Sequence, residues 1–219
     1  IFRNEYLSPR SPYTTLQIPK QGIGEWCHPL HTVDINDAGL RSSVQNGILN
    51  TELGIPFRTP AEGHNVAFTS LWGNYPDSLE IPLKGKASRA YLLMAGSTNH
   101  MQCHIDNGVI RIYYKDGTRD VMFLRNPDNW PPIEHIFFED GLAFNRHTPA
   151  LYRLRLKTGE ISNNFGEELG FPGASRELDG GAAVLLEMPL NPGKKLSHLV
   201  LETLSNDVVI GLMSITLQR

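Results

Sequence analysis

Cysteine is scarce: Cys27 and Cys103 are the two in 219 residues, which excludes a scaffold built on disulfides and leaves the redox compartment open. Paired, they would close a long loop and contribute on the order of 4 kcal/mol through chain entropy. Unpaired, they are small buried hydrophobes. Charge of one sign is lacking too. The net charge is −3, the pI about 6.3, and no Lys/Arg cluster exceeds a pair, so no nucleic-acid or polybasic membrane surface is expected. No apolar run approaches the ~18 residues a spanning helix needs, so no membrane span is expected. There is no Gly-x-Ser-x-Gly elbow, no His-Glu-x-x-His helix and no phosphate-binding loop, the usual marks of nucleophilic, zinc-peptidase and nucleotide chemistry. Gly22-Ile-Gly24-Glu-Trp26 begins like a dinucleotide fingerprint but has neither the third glycine nor a helix behind it. The chain opens at Ile1 with neither Met nor signal-peptide architecture, which points to an excised domain or a processed product of a longer protein.

Apolar residues make up 40% of the chain and charged residues 20%, an ordinary composition for a globular protein with a real core. The organising stretch is 84–130. Within it Ala90–Ala95 is a continuous apolar run, read as a strand buried on both faces, closed by a polar turn at Gly96-Ser97-Thr98-Asn99. Val109–Tyr114 is β-branched and aromatic, suited to a half-buried pleated surface. Lys115-Asp116-Gly117-Thr118 supplies a tight two-residue hairpin turn, and Val121–Leu124 returns until Asn126-Pro127-Asp128-Asn129 stops it.

Further strands are expected at Tyr13–Ile18 (an edge), Val44–Leu49, Asn65–Leu71, Leu79–Leu83, Ile133–Phe138, Leu142–Phe144, Leu151–Leu156, Ala182–Met188, Leu196–Thr203 and Val208–Leu217, with a short segment from Ile55. Residues 34–41 read as a polar turn and 162–181 as a long loop. Eight to eleven strands, with no amphipathic helix beyond two turns, predict an all-β fold. The expected architecture is one domain over 1–219, a two-sheet antiparallel β-sandwich of jelly-roll type with long loops.

Four constellations could carry chemistry. Cys27, His28 and His31, with His100, Cys103 and His104, offer six metal donors, but strand alternation splits the second group and the spacing fits no zinc knuckle, so no metal site is assigned. Asp34, Asn36 and Asp37 could hold calcium, although the bidentate carboxylate of an EF-hand is missing and a solvated turn is the simpler reading. Glu134 with Glu139 or Asp140 could include a glycosidase acid–base pair, or be ordinary turn residues. Finally, Trp72, Asn74 and Tyr75 share one segment, Asn99 and His100 a second, Asn129 and Trp130 a third. Aromatic rings beside planar amides suit sugar rings and their hydroxyls, and sandwich loops gather at each end. The same tryptophans could equally plug those ends as core.

The succession Ser88–Gln102, Asn107-Gly108, Ile112-Tyr-Tyr-Lys-Asp-Gly-Thr118, Asn126-Pro-Asp-Asn-Trp130 and Pro132-Ile-Glu134 resembles an uncharacterised bacterial domain family. That family occurs within large exported proteins of glycan-degrading bacteria. The strand–Tyr-x-Asp-Gly-Thr–strand–Asn-Trp order is also similar to galactose-binding-like jelly rolls, including carbohydrate-binding modules. The likeness covers residues 60–145 and leaves 146–219 for extra strands or a face against a neighbouring domain. It implies a β-sandwich, an exported location, an oligosaccharide or polysaccharide partner and a catalytic domain nearby, and it brings no catalytic residues. The expected function is thus a non-catalytic, carbohydrate-binding accessory domain. The alternatives are a module packing on a catalytic domain and, behind it, a glycoside hydrolase using Glu134 or Asp140.

Overall fold

A computed structural model describes residues 8–16, 34–71, 74–99, 102–134, 145–165 and 178–219. At its centre is β7 (Arg89–Thr98), flanked by β12 (Ala182–Pro189) and β14 (Val208–Gln218), both antiparallel to it. Outward from β14 lie β5 (Val66–Ser70) and β1 (Tyr13–Thr14); outward from β12 lie β10 (Arg153–Arg155) and β11 (Ile161–Ser162). The result is a seven-stranded sheet. A second sheet has four strands in the order β6 (Ser78–Pro82), β13 (Leu196–Thr203), β8 (Asp106–Tyr114) and β9 (Arg119–Arg125). A short third sheet joins β2 (Val44–Gln45), β3 (Ile48–Asn50) and β4 (Pro56–Arg58), beside a five-residue helix α1 (Ala38–Ser42).

The apolar run in β7 follows from two covered faces. Successive side chains of a strand point to opposite sides. Leu92 and Met94 enter a core shared with Leu186, Ile210, Ile110, Ile112, Leu199 and Leu201, and this core bonds the two large sheets into a sandwich. Leu93 and Ala95 enter a second core with Leu40, Leu49, Phe57, Phe68 and Leu185. There α1 and the short sheet cover the outer side of the seven-stranded sheet, aided by hydrogen bonds from Ser214 Oγ to the Arg58 carbonyl (2.8 Å) and from Thr216 Oγ1 to the Pro56 carbonyl. Each fully buried leucine or isoleucine contributes about 1.5–3 kcal/mol relative to exposure.

The all-β, antiparallel sandwich expected from the strand pattern is present, with several local corrections. Gly96, Ser97 and Thr98 are not a turn but the end of β7. Glycine is required at 96 because a Cβ there would overlap the Val209 carbonyl oxygen and lie 2.7 Å from the Trp130 ring. Val44–Leu49 is two strands rather than one. Asn46 and Gly47 both adopt positive φ (52° and 74°), the backbone of a tight hairpin, for which Asn-Gly is the strongest short signal. The polar turn at 34–41 ends in α1. The loop between β8 and β9 has four residues, Lys115–Thr118, with Gly117 at φ 85° and Asp116 Oδ1 accepting from the Thr118 N–H. Fourteen strands stand among the described residues, more than the eight to eleven expected, because several have only two or three residues. The three strands expected after residue 181 are present, and β12, β13 and β14 are internal strands of the two large sheets. Residues 17–18, 135–144 and 166–177, which carry the rest of the first edge strand, most of two expected strands and much of the long loop, lie outside the described residues. No helix among the described residues is long and apolar enough to cross a membrane.

Candidate functional site

Hydrogen bonds tie the described parts of the sequence-predicted loops to neighbouring strand ends: the His104 N–H donates to the Asn126 carbonyl and the Ile133 N–H to that of Gly96. The Thr203 N–H donates to the Asp77 carbonyl and the Asn99 N–H to the Asp207 carbonyl. Asn107 sits at a bulge in β8; its carbonyl accepts from the N–H groups of Leu204 and Ser205, and its amide reaches Thr98 Oγ1 (3.1 Å) and the Gln102 carbonyl (3.2 Å). The presentation of side chains differs from that expected.

Trp130 is wholly buried in the core between the two large sheets, so it offers no ring face to a sugar. Tyr75 is buried edge-on against Phe68, with centroids 5.8 Å apart, and the Arg10 guanidinium lies 5.3 Å from its ring centre. Asn99 is buried as well. Asn129 serves its own turn: its Oδ1 accepts from the Arg125 N–H (2.7 Å) and its Nδ2 donates to the Phe123 carbonyl (2.8 Å). Asn74 is half-buried at φ 60°, its carbonyl accepting from the Arg10 N–H. Trp72 and His100 lie outside the described residues. Loop signals in a sequence identify residues that end strands; whether their side chains turn outward depends on packing from distant segments.

Glu134 is buried, accepts from Ser97 Oγ (3.0 Å) and faces Arg153. The Arg153 guanidinium donates to the carbonyls of Pro132 (2.8 Å) and Ala182 (3.0 Å). Burial lowers its pKa to about 10, against the opposing charge of Glu134. This set pins the 130–134 turn to β12; Glu139 and Asp140 lie outside the described residues. At the calcium candidates, Asn36 Oδ1 accepts from the Ala38 N–H, while Asp37 Oδ2 accepts from Arg41 and from Asn65 Nδ2 (2.7 Å). These oxygens organise the entry to α1.

The four-stranded sheet has an outer face that no described element covers with a second core. Because Ile110, Ile112 and Tyr114 point inward, Arg111 and Tyr113 point outward. Cross-strand register then sets two rows. Arg119, Tyr113, His198 and Pro82 form the first. The Tyr113 and His198 rings stack at 4.6 Å and 14°, and the Arg119 guanidinium lies 5.8 Å from the Tyr113 centroid, donating to its hydroxyl at 3.2 Å. Val121, Arg111, Val200 and Glu80 form the second, with Arg111 ion-paired to Glu202. Val121 and Phe123 of edge strand β9 are each 42% exposed. The sequence marks β8 and β9 by β-branched and aromatic content and a hairpin turn; strand alternation, applied to the same residues, names Arg111, Tyr113, Arg119 and Val121 as one face.

Beyond the ends of β8 and β9, His104, Asp128 and His147 bring one donor atom each to within 4.8 Å of one another. Of the six sulfur and nitrogen donors noted in the sequence, His104 belongs to this group. Cys103 instead accepts from Asn126 Nδ2 at 3.5 Å, and Cys27, His28 and His31 lie outside the described residues, as does any pairing of Cys27 with Cys103. Compared with family models, with curated proteins and with solved structures, the chain matches none.

Proposed function

We propose that this chain is a non-catalytic carbohydrate-binding domain of jelly-roll, galactose-binding-like type, with the glycan lying across the outer face of the four-stranded sheet. One observation carries the reading: a sheet face covered by no described element, which sets a Tyr113–His198 stack among Arg119, Arg111, Glu202 and Glu80, beside exposed Val121 and Phe123. Sugar rings present apolar C–H patches and a rim of hydroxyls. Apolar and aromatic surface takes the first, and guanidinium, carboxylate and imidazole groups take the second as fixed donors and acceptors. The resemblance to a domain family of exported glycan-degrading proteins supports the same class of ligand, an exported location and a catalytic neighbour in a longer chain.

The test is calorimetric titration with a panel of plant and host oligosaccharides. Saturable binding weakened about tenfold or more, roughly 1.4 kcal/mol, by Tyr113→Ala or Arg111→Ala is the expected result. Binding that these leave intact but Trp72→Ala abolishes would move the ligand to the loop end and overturn the sheet-face placement. No binding by any glycan sinks the reading. A second reading, a module docked on a catalytic domain, is favoured by Val121 and Phe123 standing side by side on an edge strand, and glycan silence would leave it in the lead.

A further inference from the structure

His104, Asp128 and His147 come from three separate segments: the connection between β7 and β8, the turn after β9, and the stretch before β10. Their side chains nevertheless meet at one carboxylate oxygen. Asp128 Oδ2 lies 3.7 Å from His104 Nδ1 and 3.6 Å from His147 Nδ1, and the two rings are 4.6 Å apart at 38°. A pair of ions needs one imidazole; here two converge on the same oxygen, the arrangement a shared cation gives.

The surrounding backbone holds these donors in place. The other oxygen of Asp128, Oδ1, accepts from the His147 N–H at 2.7 Å, and the Asp128 carbonyl accepts from Thr148 Oγ1 at 2.6 Å. The carboxylate is thus oriented through Oδ1 and turns Oδ2 toward both imidazoles, as outer hydrogen bonds orient metal ligands elsewhere. His104 adopts φ 56°, an uncommon conformation for a residue with a side chain, and its N–H donates to the Asn126 carbonyl at 2.7 Å. Asp128 is mostly buried, with 15% of its side chain exposed, while His147 is 65% exposed, so an ion has a path in from solvent.

Metal–nitrogen and metal–oxygen bonds of about 2.0–2.2 Å place tetrahedral ligands roughly 3.4 Å apart. Both His–Asp separations already lie near that value. Two imidazoles and one carboxylate suit a borderline divalent ion and not calcium or magnesium, which take oxygen donors. We propose that His104, Asp128 and His147 form a three-ligand site for a divalent transition-metal ion, with zinc the best fit. Three protein donors leave a fourth position for water or an incoming oxygen or nitrogen, the pattern of an open site. The site uses none of the residues of the proposed glycan face.

The test uses tag-free protein stripped with chelator and titrated with Zn²⁺ by calorimetry, and with Co²⁺ by visible absorption, in the absence of sugar. One equivalent per chain is expected, with Co²⁺ bands of nitrogen–oxygen coordination lacking sulfur charge transfer, and a higher Tm with Zn²⁺. His147→Ala, a change at an exposed side chain, and Asp128→Asn should each weaken Zn²⁺ binding at least tenfold, whereas Cys103→Ser should leave it unchanged. Absence of stoichiometric binding, undiminished affinity in His147→Ala, or loss of binding in Cys103→Ser would each overturn the assignment.

Discussion

Replacing Trp130 by alanine separates a core residue from a binding residue. Trp130 is fully buried, packed on Gly96 of β7 and joined to the core that includes Ile110, Leu124, Leu186 and Ile210. Truncating a buried tryptophan to alanine costs about 3–5 kcal/mol in lost transfer energy and residual cavity. That is a large share of a typical ~5–15 kcal/mol stability. For a chain of this size each kcal/mol moves Tm by roughly 2–4 °C, so a fall of about 6–20 °C is expected. Urea unfolding followed by far-ultraviolet circular dichroism reads the change without relying on the removed fluorophore. Trp130→Phe should cost less, about 1–2 kcal/mol, because it also removes an indole N–H with no hydrogen-bond partner among the described residues. The folded fraction of Trp130→Ala should bind any glycan ligand as the parent does. Unchanged stability together with lost ligand binding would refute the packing argument and restore Trp130 as a stacking platform.

Gly96→Ala should destabilise by about 1–3 kcal/mol or more through overpacking, since the new methyl meets the Val209 carbonyl and the Trp130 ring; a variant melting with the parent would contradict the close approach of β7 and β14. Burial and a hydrogen bond to Asp120 push the Tyr114 pKa from 10.0 up to about 12. The folded state thus holds this proton more tightly than the unfolded chain. Its contribution to stability is complete below about pH 10 and is lost as pH rises through 10 to 12. Urea midpoints measured across that window should fall less steeply in Tyr114→Phe than in the parent, and parallel slopes would count against the buried phenol.

What the sequence reveals depends on how local the cause is. The run Ala90–Ala95 is legible because covering both faces of a strand demands apolar residues at every position, and the sheet does cover both. The Asn46-Gly47 hairpin is equally readable from its dipeptide, which splits Val44–Leu49 into two short strands. Gly96 illustrates the opposite case. In isolation Gly-Ser-Thr-Asn has the composition of a turn, and only the approach of Val209 and Trp130 from far along the chain makes it strand. The site residues divide the same way. Neighbouring Asn and aromatic residues mark where strands end, but the burial of Tyr75, Asn99 and Trp130 is decided by segments remote in sequence. Likewise His104 was visible as a candidate ligand beside Cys103, while its partners Asp128 and His147 are supplied by later turns that no short spacing could indicate.

The placement of the last strands constrains how the molecule is made. β13 lies between β6 and β8, and β14 between β5 and β7, so residues 196–218 supply inner strands to both large sheets. During synthesis β5 to β9 emerge long before these partners. Until β13 and β14 leave the ribosome, the earlier strands wait with open backbone edges and uncovered apolar faces, the condition that invites association with other chains. Folding of the two large sheets is therefore governed by pairings between strands far apart in sequence, which slows it, and neither sheet is complete before residues 196–218 arrive.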